Sequence, residues 1–155
     1  MIRSWYNQSM KATKQVLVIR TDLKMRRGKE IAQGSHGSGD CLFGAGRKGN
    51  VFTGFFYFIW SAIKFYFATA SRQWMRASYT KVTLQADSEI ELLDVYWLCK
   101  EAGLRAALIL DSGKTACGEG LKGMEIYTAL GIGPNFSDEI DLITGKEGIH
   151  PLKLY

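Results

Sequence analysis

Four side chains in this sequence have types and settings suited to chemistry: a lysine at a helix start, an aspartate at a strand end and two threonines. Lys29 falls in the first turn of a helical stretch, where unpaired backbone N–H groups favour anions. The same dipole disfavours an ammonium there, so Lys29 is either an ordinary solvated lysine or one placed to act. Asp111 follows the apolar run LRAALIL. Carboxylates at such strand ends serve catalysis in α/β folds, or simply cap a bend such as Ser112-Gly113. Thr115 and Thr128 carry hydroxyls that can donate to a developing oxyanion, or satisfy nearby backbone groups.

Other chemistries fail on spacing. Gly113-Lys114-Thr115 echoes the end of a phosphate-binding loop, but Leu108 stands where that motif needs its first glycine. Gly131-Ile132-Gly133 lacks the third glycine of a dinucleotide fingerprint. His36 and His150 are the only histidines, and no metal site is expected. No G-x-S-x-G elbow supports a serine triad.

The elements that must position these groups can be read from patterning. KQVLVIRT, residues 14–21, is a buried β-branched strand. DLKMRRGKEIAQGSHG follows, with a turn near Gly28 and then a helix in which Lys29, Gln33 and His36 share one face. Small residues from Gly37 to Gly49 predict a helix end and a loop. A second helical region, broken once, is expected from about Gly54 to Arg76. YTKVTLQA alternates as a strand, with Tyr79, Lys81, Thr83 and Gln85 on one face. Ser88 and Glu91 form a capping box for the next helix, and Gly103 stops it. Leu104–Leu110 and residues 125–132 are further strands, the latter ending at Gly133-Pro134. Ser137 is expected to cap the short helix SDEIDLIT, and PLKLY to close the sheet or pack on its edge. This order predicts one α/β domain over 14–155: a mixed, largely parallel sheet of about four strands with helices on both faces. Residues 1–13 read as a flexible N-terminal extension.

With 155 residues, 46% hydrophobic and 23% charged, the chain is long enough for one well-formed core. Its net charge of +5 favours anionic partners, nucleic acid first and an acidic membrane surface second. Arg26, Arg27, Lys29, Arg47 and Lys48 gather near one end of the expected fold, where phosphate contacts can form. Cys41, Cys99 and Cys117 are widely spaced and odd in number, which fits reduced thiols in the cytoplasm. Val51–Phe67 is apolar and aromatic with one charge, Lys64, and is too short and interrupted for a spanning helix. It reads as a helix packed on the domain or a partner-binding surface, with membrane contact the lesser alternative.

Taken together, the residues carry a resemblance. VLVIRTDLKMRRGKEIAQGSHG closely resembles the opening motif of type II peptidyl-tRNA hydrolases, R-x-D-L-x-M-x-x-G-K-x-A-x-Q-x-[SA]-H-A after a hydrophobic strand. Arg20, Asp22, Leu23, Met25, Gly28, Lys29, Gln33, Ser35 and His36 hold its positions. DSGKT at 111–115 is similar to the family's D-A-G-x-T. TALGIGP at 128–134 and LKLY at 152–155 resemble its closing motifs. Departures are the aromatic stretch 39–74, Ser112 in place of alanine, a longer segment after DSGKT, and the insertion KEGIHP.

The resemblance implies a mixed four-stranded sheet flanked by helices, commonly a homodimer, with no metal or organic cofactor. It implies Lys29, Asp111, Thr115 and Thr128 as catalytic residues. Asp22, Arg26, Arg27, Gln33, His36 and Lys114 are the expected contacts to peptidyl-tRNA. On this reading Asp111 orients or deprotonates a water that attacks the ester carbonyl, Lys29 pairs with Asp111 or holds the tRNA end, and the threonines steady the oxyanion. The competing expectation is a catalytically silent RNA-binding or interaction module on the same fold, for which the aromatic helix would be the contact surface.

Overall fold

The computed structural model describes residues 11–44, 55, 58–60, 62–64, 67–114 and 123–155. Its elements follow in the order β1 (Thr13–Arg20), α1 (Arg27–Phe43), α2 (Thr69–Arg76), β2 (Lys81–Ala86), α3 (Glu89–Glu101), β3 (Ala106–Asp111), β4 (Ile126–Phe136), α4 (Ser137–Thr144) and β5 (Lys153–Leu154). Between α1 and α2, the described residues of 55–67 are helical, and Ala68 marks the expected break.

The sheet has five strands in the order β3-β4-β1-β2-β5. It is mixed as expected, but only β1 and β2 pair in parallel; the β1–β4, β3–β4 and β2–β5 pairs are antiparallel. The expectation of a largely parallel sheet is therefore corrected, and the cause is specific. Helical crossovers do keep β1, β2 and β3 running the same way. β4, reached from β3 by a loop, runs back and inserts between β3 and β1, so parallel direction does not become parallel pairing. The tail forms β5 on β2, with Leu84 opposite Leu154.

One face of the sheet carries α3 and α4, whose Leu92, Val95 and Ile140 pack on Val16, Val18, Leu84, Leu130 and Ile132. The other carries α1, with Ile19, Leu23, Met25, Ile109 and Ala129 beneath its first half. Half of the capping box forms: Ser88 Oγ accepts from Glu91 N (3.1 Å), while the Glu91 carboxylate accepts from the N–H of Asp87, one residue before the cap; Gly103 ends α3 with φ +71°. Ser137 does not cap α4. Phe136 occupies that position, and the N–H of Ser137 is taken by Ala12 O (2.8 Å) from the chain before β1.

The helix end expected within Gly37–Gly49 comes at Phe43, so α1 continues six residues past Gly37. Glycines cost a helix about 0.5–1 kcal/mol each relative to alanine, so their number reads as a stop signal. Here one of them makes a contact that outweighs the cost. A Cβ on Gly131 of β4 would overlap Gly37 O and lie 2.7 Å from its carbonyl carbon. The two glycines let α1 settle directly on the strand backbone. Arg105 secures the far end, its guanidinium donating to Cys41 O (2.9 Å) and Leu42 O (3.4 Å).

Cys41 on the inner face of α1 and Cys99 on the inner face of α3 are both buried, and burial pushes each thiol up to about 12. The folded state thus keeps two protons that the unfolded chain releases from about pH 8.5 upward. Stability is full below that pH and falls above it, by at most about 1.4 kcal/mol per pH unit for each thiol. Urea midpoints at pH 8 and pH 10 measure this loss. It is expected to shrink in Cys41→Ala and in Cys99→Ala, whereas an undiminished loss would assign it to other groups.

Candidate active site

The chemistry-bearing groups meet at one end of the sheet, where β3 ends, β4 begins and α1 starts. Lys29 and Asp111 form an ion pair, Nζ to Oδ2 at 3.1 Å, with the two side chains only 11% and 12% exposed. The same Oδ2 accepts from Gln33 Nε2 at 2.6 Å, and Oδ1 accepts from the N–H of Gly113 at 2.8 Å. Thr128, fully buried, donates its hydroxyl to Gln33 Oε1 at 2.9 Å, with Ile109 O at 3.3 Å. Because a carboxylate only accepts, the Gln33 amide must turn its NH2 to Asp111, which leaves its oxygen for Thr128.

Local structure explains each placement. Lys29, Gln33, Gly37 and Cys41 succeed one another at intervals of four and so form the edge of α1 that faces the sheet. The Gly37–Gly131 contact lowers that edge onto β4, which brings Gln33 within reach of both Thr128 and Asp111. Asp111 is held by its own turn. Gly113 takes φ +67° with no room for a Cβ against Met124, and its carbonyl accepts from Gly123 N (3.0 Å), pinching the base of the β3–β4 loop.

Three of the sequence-predicted residues, Lys29, Asp111 and Thr128, are thus brought together through a fourth, Gln33. Its role as the bridge was not legible from its position alone. Thr115 lies outside the described residues, as do Arg47 and Lys48. Arg26, Arg27 and Lys114 are exposed, and Arg27 lines the groove described below. His36 is half-buried, seven residues beyond Lys29 and so about 10 Å along the helix axis.

Asp22 faces a different partner. Its carboxylate accepts both Nε (3.0 Å) and Nη2 (2.6 Å) of the buried Arg20, whose Nη1 reaches Glu89 (2.6 Å) and Tyr127 O (2.8 Å). Burial, the largest single influence, lowers the Arg20 pKa, and Asp22 and Glu89 more than reverse it. This clamp ties β1 to α3 and to the start of β4 beside the site. Glu89 carried no signal in the sequence beyond being an acid in a first helical turn.

A sizeable hollow lies elsewhere. A groove of about 1170 Å³ runs along the flank of α1 that faces β1 and β2, lined among others by Leu17, Ile19, Ile31, Ser38, Lys81 and Tyr155. Neither Lys29 nor Asp111 lines it. We assign the chemistry to the ion pair, where the reactive groups converge, and not to the larger space. Among the described residues no group of three His, Cys, Asp or Glu is arranged to hold a metal ion.

The sequence profile of the family described as peptidyl-tRNA hydrolase PTH2 matches residues 13–152. The chain belongs to that family. A peptidyl-tRNA hydrolase of Methanocaldococcus jannaschii is 34% identical over 132 residues, covering 85% of this chain and 95% of the relative. A probable peptidyl-tRNA hydrolase 2 of Dictyostelium discoideum is 37% identical over 150 residues, 97% of this chain and 58% of that protein. A bovine protein named peptidyl-tRNA hydrolase 2, mitochondrial, is 32% identical over 142 residues, 92% of this chain and 64% of the relative.

Family membership makes the Thr128–Gln33 bond worth testing. Thr128→Val keeps the shape but leaves Gln33 Oε1 buried without its donor, a cost of about 1–3 kcal/mol. The urea midpoint and the rate of hydrolysis are expected to fall together, and Thr128→Ser to restore both. A valine variant of unchanged stability and rate would show that Gln33 is held by other means.

Proposed function

We propose that this chain hydrolyses the ester bond between peptide and tRNA in peptidyl-tRNA, releasing a free peptide and a tRNA for reuse. The observation that carries the reading is the shielded Lys29–Asp111 pair, wired through Gln33 to Thr128, in a chain of the PTH2 family. Asp111 receives the proton of a water as its oxygen adds to the ester carbonyl. The tetrahedral intermediate collapses by breaking the bond to the ribose oxygen, which takes a proton and leaves as the tRNA hydroxyl. General base help of this kind is worth about 10²–10⁴-fold.

Lys29 keeps Asp111 in place and offers its ammonium to the ribose or phosphate of the tRNA end. Thr128 acts from below, its proton engaged by Gln33, so it positions the amide. Thr115, in the loop after Asp111, is the hydroxyl proposed to meet the oxyanion. Arg26, Arg27 and Lys114 take phosphates around the rim, and Asp22, Gln33 and His36 complete the proposed substrate contacts. Phosphate contacts make affinity fall steeply with salt.

The test is peptide release from purified peptidyl-tRNA at low salt, with and without chelator. Release that chelator leaves unchanged supports a metal-independent hydrolase. A folded protein that binds tRNA without releasing peptide would instead be a binding module on this fold.

A further inference from the structure

The charge and the aromatic residues of this protein are not spread evenly. Residues 41–86 contain six bases (Arg47, Lys48, Lys64, Arg72, Arg76 and Lys81) and no aspartate or glutamate. The remaining fourteen bases and fifteen acids leave a charge of −1, so this stretch, at +6, outweighs them to give the net charge of +5. The same stretch holds seven of the eight phenylalanines.

Within it, Phe55, Ile59, Ile63 and Phe67 recur at intervals of four in the helical region and so form one row. They are 60%, 38%, 44% and 72% exposed, so much of this row faces outward. Another side of the segment is anchored. Phe58 stacks on Phe43 at the end of α1 (5.7 Å between centroids), and Trp60 and Lys64 line a hollow with Arg105 and Tyr127 beside β3. Lys64 also stands over the Trp60 ring at 5.3 Å, at the margin of the apolar row.

We propose that this row docks on an anionic lipid surface, the helix lying in the plane of the headgroups. An exposed apolar row edged by tryptophan and lysine, in a segment of one charge sign, is the pattern of an interfacial helix. A helical span from Phe55 to Phe67 is about 20 Å long, short of the ~30 Å hydrocarbon core, which fits lying flat. No helix among the described residues is long and apolar enough to cross a membrane. A second copy fits poorly, because a two-fold contact would set one acid-free stretch against another. RNA fits poorly as well, since the middle of the row is aliphatic, and Ile59 and Ile63 offer no ring for a base to stack on.

Flotation with vesicles tests this directly, comparing phosphatidylcholine alone with phosphatidylcholine carrying about 30% phosphatidylserine, at low and raised salt. The wild-type chain is expected to float with the anionic vesicles at low salt, to bind neutral ones far less, and to be released as salt rises. Ile59→Gln/Ile63→Gln, at exposed positions, is expected to weaken flotation more than tenfold with the melting temperature unchanged. Phe67→Gln serves the same purpose should the double variant fold poorly.

The proposal is overturned if the wild type does not float, or if folded variants float as well as it does. It is equally overturned if the substitutions abolish a dimer, or weaken tRNA binding, while lipid binding is absent. Because the readout is binding to vesicles, the result stands apart from whether the chain hydrolyses peptidyl-tRNA.

Discussion

Asp111→Asn is expected to slow peptide release from peptidyl-tRNA by about 10²–10⁴-fold, the usual worth of a general base. The substitution is nearly isosteric, but its effects go beyond lost basicity. Asp111 accepts from Lys29, Gln33 and the N–H of Gly113 at once. An asparagine has a single acceptor oxygen, so its amide must point a donor either at Gly113 or at the Lys29–Gln33 side. Lys29 would also lose its anion in a setting where both partners are nearly out of water. Single-turnover kinetics separate these effects from substrate binding, and a urea titration separates them from unfolding. A folded asparagine variant within a few-fold of wild type would sink the assignment of Asp111. Lys29→Met distinguishes the two proposed duties of the lysine. A raised KM with little change in kcat points to the tRNA end, and a lowered kcat to the positioning of Asp111.

Gly131→Ala is expected to damage both stability and rate, although it adds one methyl group at a distance from the ion pair. Its Cβ would overlap the backbone oxygen of Gly37 and come within 3.0 Å of Cys41 Sγ. A backbone group cannot rotate aside as a side chain can, so α1 must lift. Overpacking of this kind costs about 1–3 kcal/mol. Since Gln33 is on the same helix edge, lifting also pulls it from Thr128 and Asp111. A displacement of about 1 Å can cost about 100-fold in rate. Gly39→Ala is the matched control, also on α1 but with nothing within 4 Å of the added Cβ. It is expected to stabilise by about 0.4–1 kcal/mol and leave the rate unchanged. Equal behaviour of the two variants would dispose of close approach as the reason for Gly131.

The contrast between those glycines shows what can be read from a linear pattern. β1 was legible because VLVI is β-branched and buried on both sides, and α3 because Ser88 and Glu91 announce its start locally. Lys29 and Asp111 were legible as candidates because each sits at an element boundary of the expected kind. The continuation of α1 to Phe43 was not, because Gly37 looks like a stop until its partner, Gly131, is brought beneath it. Gln33 was expected to share a face with Lys29 and to contact peptidyl-tRNA, but its bridging role stayed hidden for the same reason, since both its partners come from strands much later in the chain. The direction of β4 was hidden differently. Helical crossovers predict how strands point, but not which strand is inserted between two others.

That insertion bears on the order in which the protein can become active during its own synthesis. β1 is among the first parts of the domain to leave the ribosome, yet one of its two neighbours is β4, near the end of the chain. Until β4 has emerged, the edges of β1 and β3 that will receive it remain open, and α1 has no Gly131 to rest on. Lys29 and Gln33 are then made but not yet gathered, with Thr128 still to come. The nascent chain therefore assembles its site in one late step, once β4 has been translated, and has no working half to use before then.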